Sequence, residues 1–393
     1  MMARRTWPTA RFLMRFQRPS ADPAAEHEIL VDGDGEACSA VLYQARRADR
    51  SLVDPSKPVP AWILLQGVTV PGRHHRGLRR MARSLAAAGH TVLTPEVPSW
   101  TQLRVDPRHA EPTVRACLAH LRSEPGVDSH RIGLMGFSVA GTWALVAAAG
   151  ETGAALRAAV SLGGYGDYRR MLTAMVTGEH EWHGRTYHYT PDPYGRWIVA
   201  ADLLPRVDSN AYGTQEEREV AGRALHRLAR TAGRNGALAG TPTYDRLIED
   251  LRRTLPAAVK PAWEVLAPPS KQLVPDPGAG RALADALATA GLDAHPELDP
   301  TGRLDGLAAQ RTRVILLHGR QDTLIPFTET LRLASLLPHG APRTVALTRL
   351  IGHAKAAEGL VRPNPAALVT LVYEVYRFAV TMRRIIGSLD GAI

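Results

Sequence analysis

The stretch 131-RIGLMGFSVAGTWAL-145 decides the fold. Its first five residues, with Ile132, Leu134 and Met135 apolar, read as a strand, and Gly136 follows them. The small-residue run Val139–Ala149, closed by Gly150, then predicts a helix. Ser138 therefore falls where a strand turns into a helix. A serine in that position sits on a sharp turn that lifts its hydroxyl above the carboxyl end of a sheet. The helix behind it points unpaired backbone N–H groups at the same place. Such a turn closes only if the residues two before and two after the serine are small. Gly136 and Ala140 meet that condition, although alanine stands where glycine completes the usual Gly-x-Ser-x-Gly pattern.

Outward from this segment, short apolar runs alternate with helical ones. Strands are expected at 61–66 (AWILLQ), 91–94, 131–135 and 158–162, and helices at 76–88, 111–121 and 139–149. Gly89 is placed to stop the first helix and Pro95 to end the second strand. Residues 27–31 and 39–44 suit an antiparallel opening pair. Strands alternating with helices imply parallel crossovers and a sheet covered on both faces. The alternation stops at Tyr165 and resumes near residue 306. Between them lie the aromatic, His-rich stretch 181-EWHGRTYHYTPDPYGRW-197 and helical patterns at 215–232, 244–255 and 281–290, but no convincing strand. Pro- and Gly-rich joints separate these patterns. A strand at 313–317, a helix at 328–337, a strand at 343–347 and a long helix at 365–386 complete the chain. Because the strand pattern continues after the interruption, the middle reads as a helical insertion, with a separate second domain as the alternative. The expected organisation is a basic N-terminal arm over 1–24, a core over 25–164 and 306–393, and an insertion over 165–305.

Two further segments carry chemistry. In 313-RVILLHGRQDTLIPF-327 an apolar strand ends in His318-Gly319, and Asp322 follows in the loop. In 345-VALTRLIGHAKAAEG-359 a strand is followed by Gly352-His353-Ala354. A serine, an acid and a histidine thus occur in that chain order, each just after a strand.

GFSVAG, HGRQDTLIP and GHAK resemble the α/β-hydrolase superfamily, and the likeness extends over nearly all of residues 25–390 apart from the insertion. The resemblance implies a mostly parallel central sheet flanked by helices, with a helical lid inserted after the sixth strand. It implies Ser138 as nucleophile, Asp322 as orienting acid and His353 as general base. A serine hydroxyl attacks poorly until a base takes its proton, and the acid holds the imidazole in the right tautomer. The resemblance also implies an oxyanion hole, with the backbone N–H of Val139 as one donor. The other donor belongs on the loop 66-QGVTVPG-72. Gln66-Gly67 there replaces the His-Gly of many relatives, which makes the N–H of Val68 the candidate. Gln66, Tyr165, Tyr194 and Trp197 are candidates for contact with substrate. Trp182, Tyr187 and Tyr189 share the aromatic stretch, whose rings line an acyl or aromatic pocket or form the lid's own core. Trp143, one turn past the serine, reads as packed core. His74 and His75 lie just beyond the loop, at the site entrance, and lack further ligands at metal spacing. No cofactor or metal is expected.

Composition bounds the rest. Hydrophobic residues are 45% and charged residues 22% of 393, the balance of a globular protein. The formal charge is +10, and Arg4, Arg5, Arg11, Arg15 and Arg18 precede the first acid, Asp22. The body is left with little electrostatic case for nucleic acid. The arm is expected to be solvated, with contact to an anionic membrane surface as the alternative. Its apolar residues are too interrupted for a secretory signal. Cys38 and Cys117 read as two buried thiols, which fits a cytoplasmic protein without disulfides. The expected activity is hydrolysis of carboxylic esters on a small ester or acyl substrate. Acyl transfer, thioester or peptide cleavage by the same three residues, or a non-catalytic binding protein, are the alternatives. Oligomeric state is open.

Overall fold

The computed structural model describes residues 2–18, 26–33, 37–46, 54, 56–236, 238–272, 277–351 and 365–390. Eight strands form one sheet in the order β1-β2-β4-β3-β5-β6-β9-β10. They are β1 (Glu26–Val31), β2 (Cys38–Tyr43), β3 (Val59–Leu65), β4 (Thr91–Pro95), β5 (Val127–Phe137), β6 (Ala158–Leu162), β9 (Arg313–Gly319) and β10 (Arg343–Thr348). β1 and β2 pair antiparallel, as does β2 with β4; every pairing from β4 to β10 is parallel. A separate hairpin joins β7 (Glu179–Trp182) to β8 (Arg185–His188).

The strands are apolar on both faces because both faces are covered. Ala61, Ile63, Leu65, Leu134 and Leu316 face one buried cluster, while Trp62, Leu64, Met135, Val160 and Leu317 face another. This two-residue period sorts alternate side chains to opposite layers. The first layer holds α4 (Ala110–Ser123), α5 (Val139–Ala149), α13 (Phe327–Leu336) and the insertion, with short α3 (Pro98–Thr101) beside it. The second layer holds α1 (Met2–Gln17), α2 (Arg76–Ala88) and α14 (Pro365–Gly387). Gly89 ends α2 at φ 100°, a left-handed cap that costs glycine nothing.

Between β6 and β9 none of the described residues joins the main sheet. This insertion carries α6 (Tyr168–Thr177), the hairpin, α7 (Pro193–Leu203), α8 (Gln215–Asn235), α9 (Asp245–Thr254), α10 (Lys260–Leu266), α11 (Pro277–Ala294) and the short α12 (Gly306–Ala309). Thr214 opens α8 with a capping box to Glu217. The expected absence of strands here is corrected by the hairpin. His183 and Gly184 both take positive φ, 52° and 74°, which is the mirror-image turn that matches strand twist. The expectation of a solvated arm is corrected too. Residues 2–17 form a helix, and Phe12 is wholly buried against α2 and α14. Pro8 and the interspersed arginines obscured that helix in the sequence.

Candidate active site

Ser138 sits at the end of β5 with φ 57° and ψ −138°, a conformation that side-chain-bearing residues rarely adopt. Two bonds hold it there. Its N–H donates to the Leu162 carbonyl at 2.8 Å, and its own carbonyl accepts from Gly141 N–H at 2.7 Å. The turn has no room for side chains. A methyl group on Gly136 would lie 1.9 Å from the Ala140 carbonyl oxygen, and one on Gly141 would lie 2.6 Å from Ser161 Oγ. Ala140 is fully buried and its methyl is accommodated, so the departure from Gly-x-Ser-x-Gly is absorbed. Close approach to β6 is met by Gly141 one residue later.

The loop after β3 lies against the serine. A methyl on Gly67 would fall 3.1 Å from Ser138 Cβ and 3.8 Å from its Oγ. Val68 and Val139, the candidate N–H donors, thus belong to the two segments that flank the hydroxyl. Gln66 is buried, and its Nε2 donates to the Val97 carbonyl at 3.4 Å. Its side chain braces the loop, and its Oε1 lies 2.9 Å from where a methyl on Gly72 would stand. Gly72 has φ 53°, so glycine is needed there on both counts.

Asp322 follows β9, two strands from β5 and so about 10 Å away along the sheet edge. It is 8% exposed. Its Oδ1 accepts from Leu324 N–H at 2.9 Å and Ile325 N–H at 3.0 Å. His318, missed in the sequence as a structural residue, holds the same loop from below. Its Nε2 is 2.9 Å from the Ile325 carbonyl, which can only accept, so that nitrogen carries the proton. Its Nδ1 then accepts from the Thr330 hydroxyl at 2.6 Å. β10 is the next strand, and His353 follows it, but His353 lies outside the described residues.

The insertion is tied to this edge at three points. Asp192 N–H donates to the Thr323 carbonyl at 2.9 Å, and its carboxylate caps α7 and accepts from Ala239 N–H. Burial raises the Asp192 carboxyl above the usual carboxylate range. Tyr194, half-buried on α7, meets Gly233 of α8 beside Val70 of the β3 loop. Glu329 on α13 accepts from Gly166 N–H at 3.2 Å and Asp167 N–H at 3.0 Å, with Arg170 at 3.4 Å. Burial outweighs these partners and pushes its pKa up to about 7. The hairpin docks beside it through the His180 ring. That ring stacks on Tyr187 at 5.2 Å, meets Phe327 edge-on and bonds the Thr328 hydroxyl at 2.9 Å. Burial lowers the pKa of His180 to about 4, so it is neutral near pH 7.

Six of the expected site residues therefore gather at one edge: Ser138, Asp322, Gln66, Val68, Val139 and Tyr194. Two do not. Tyr165 is fully buried, and its hydroxyl is spent on the Leu298 carbonyl at 2.7 Å and on Trp143 Nε1 at 3.1 Å. Trp197 is fully buried and donates to the Leu266 carbonyl. Both are core residues, drawn inward by large apolar rings whose single polar atom finds a backbone or ring partner. Trp143 packs on Trp100 at 4.9 Å, as expected for core. His75 caps α2 by accepting from Gly77 N–H at 3.3 Å. His74 is exposed and points toward Glu28. Among the described residues no three His, Cys, Asp or Glu side chains form a metal-binding group.

The strand order and the strained serine at the β5–α5 turn identify the α/β-hydrolase fold. No family model and no curated protein matches the chain. Among solved structures it is similar to the α/β hydrolase GrgF from Penicillium sp. sh18, at 15% identity over 92% of this chain and 98% of that one, with TM-score 0.46. It is also similar to Porphyromonas gingivalis dipeptidyl peptidase 4, at 13% identity over 90% of this chain, with TM-score 0.42. A Pyrococcus horikoshii acylaminoacyl peptidase aligns at 11% identity over 93% of this chain, with TM-score 0.43. The chain spans 35% and 42% of the lengths of these two peptidases.

Proposed function

We propose that this chain is a serine hydrolase that cleaves carboxylic esters through an acyl-enzyme. Ser138 is the nucleophile, His353 the general base and Asp322 the acid that orients it. The observation that carries the reading is the backbone of Ser138, held at φ 57° between β5 and α5 with Gly67 against it. A strained conformation of that kind costs on the order of 1–3 kcal/mol and needs a reason to persist. Presentation of a nucleophile is such a reason.

In this mechanism the Ser138 hydroxyl attacks the ester carbonyl as His353 takes its proton. The oxyanion forms between the N–H groups of Val139 and Val68, each worth about two to three powers of ten in rate. His353 returns the proton to the leaving alcohol, and water then repeats the sequence to release the acid. The ionised Asp322 stabilises the imidazolium throughout. The insertion forms the lid, with Tyr194 facing the acyl group. No cofactor enters the scheme.

The test pairs a fluorophosphonate probe with short- and long-chain p-nitrophenyl esters. Wild type should label and turn over, and Ser138→Ala should do neither. His353→Ala should lose turnover by a factor of about 10⁴ or more while keeping its unfolding midpoint. Labelling without turnover of any ester would shift the assignment to acyl transfer or to thioester or peptide cleavage. Absence of labelling would end the catalytic reading.

A further inference from the structure

The second helical layer carries a surface unlike the rest of the molecule. α1, α2 and α14 pack together over one sheet face, through Phe12, Leu78, Met81, Phe378 and Met382. Their sequences hold eleven arginines and a single acid, Glu374. Glu374 is buried and accepts from Arg349 N–H, so it adds no outward negative group. Arg18, Arg76, Arg377, Arg383 and Arg384 make no ion pair among the described residues. Two acids flanking this layer are already engaged: Glu26 with Arg79 and Arg83, and Asp390 with Arg131.

The same helices expose apolar groups. Of the eight large hydrophobic residues exposed in the described chain, six lie on α1 and α14: Trp7, Met14, Val372, Tyr373, Val375 and Tyr376. Trp7 and Met14 are seven residues apart, on one stripe of α1. The Arg377 guanidinium lies 5.6 Å from the Tyr373 ring centroid, which sets a cation beside an aromatic ring at the surface.

We infer that the α1–α2–α14 face docks on an anionic lipid surface, with arginines against the headgroups and the exposed rings at the interface. Charge complementarity selects this occupant. Exposed Trp and Tyr suit the boundary between headgroup and acyl chain, where one side of the ring is wet. Surface arginines without acid partners are attracted to phosphate. Among the described residues no helix is long and apolar enough to cross a membrane.

Co-sedimentation of the full chain with vesicles tests this. Binding should be strong to phosphatidylcholine containing phosphatidylglycerol, weak to phosphatidylcholine alone, and largely lost at about 0.5 M NaCl. Arg383→Gln/Arg384→Gln should weaken partitioning about thirtyfold. Tyr373→Ser/Tyr376→Ser should weaken it as well, and both pairs should keep the wild-type unfolding midpoint. Three results would overturn the inference: equal binding to both vesicle types, variants that bind like wild type, or no vesicle binding with a dimer that the tyrosine pair disrupts.

Discussion

Gly67 shows how narrowly the site is set at the level of single atoms. Its Cα hydrogen faces Ser138, and a methyl there would stand 3.1 Å from Ser138 Cβ and 3.3 Å from the Phe137 carbonyl oxygen. Neither neighbour can yield, because Ser138 is fixed by its bonds to Leu162 and Gly141. The loop would therefore move by a few tenths of an ångström and carry the Val68 N–H with it. Gly67→Ala should lower kcat/KM for p-nitrophenyl acetate by about tenfold or more, with little change in the unfolding midpoint. Unchanged kinetics would mean that this loop does not supply an oxyanion donor. Glu329 is the second residue with a measurable signature. Burial raises the pKa of its carboxyl to about 7 against an ordinary 4.5. Between those values the unfolded chain has released the proton and the folded chain keeps it. Stability is therefore complete below about pH 4.5 and falls as pH rises toward 7, by an amount on the order of 3 kcal/mol. Glu329→Gln should flatten that slope in urea denaturation series across the window. A slope that persists in the variant would assign the loss to other groups.

Among the elements, α1 is the one whose behaviour departs most from its composition. Its arginines and Pro8 suggest a solvated arm, yet Phe12 enters the core and stacks on Phe16, which meets Phe378 of α14 at 5.6 Å. Arg80 of α2 donates to the Phe16 carbonyl and lies 4.1 Å from the Phe16 ring centroid. Such contacts dock a helix that propensity alone would leave frayed. Phe12→Ala should cost about 3 kcal/mol in urea unfolding, and hydrogen exchange across 7–17 should rise with it. A change under about 0.5 kcal/mol would mean that the helix contributes no packing. The β7–β8 hairpin is the opposite case, because its signal was present in the sequence. His183-Gly184 is a two-residue turn between four-residue runs. The runs are too short and too polar to register as strands, and docking on α13 through His180 is what orders them.

For the molecule as a whole, eight strands and two helical layers are arranged so that the carboxyl ends of β3, β5, β9 and β10 share one edge. The insertion is tied to that edge at Asp192, at Tyr194 and, through Gly166 and Asp167, at Glu329 of α13. The proposed lipid-facing surface belongs to the other layer, α1, α2 and α14. The apolar run before Ser138, the glycines around it and the βα rhythm made the parallel sheet legible from residues alone. Two helices end where the sequence placed their stops, at Gly89 and Gly150. Local patterns are enough there because a strand buried on both faces must be continuously apolar, and a cap must bond its own turn. The tertiary structure alone decided which aromatic rings are core. Tyr165 and Trp197 carry the same kind of ring as Tyr194, and nothing near them in the chain says that Leu298 and Leu266, far along the sequence, will take their polar atoms. It also decided that α1 docks and that Gly67 meets Ser138. Those outcomes depend on contacts between segments distant in sequence, and a side chain's neighbours are set by how the layers pack, which no stretch of the chain encodes by itself.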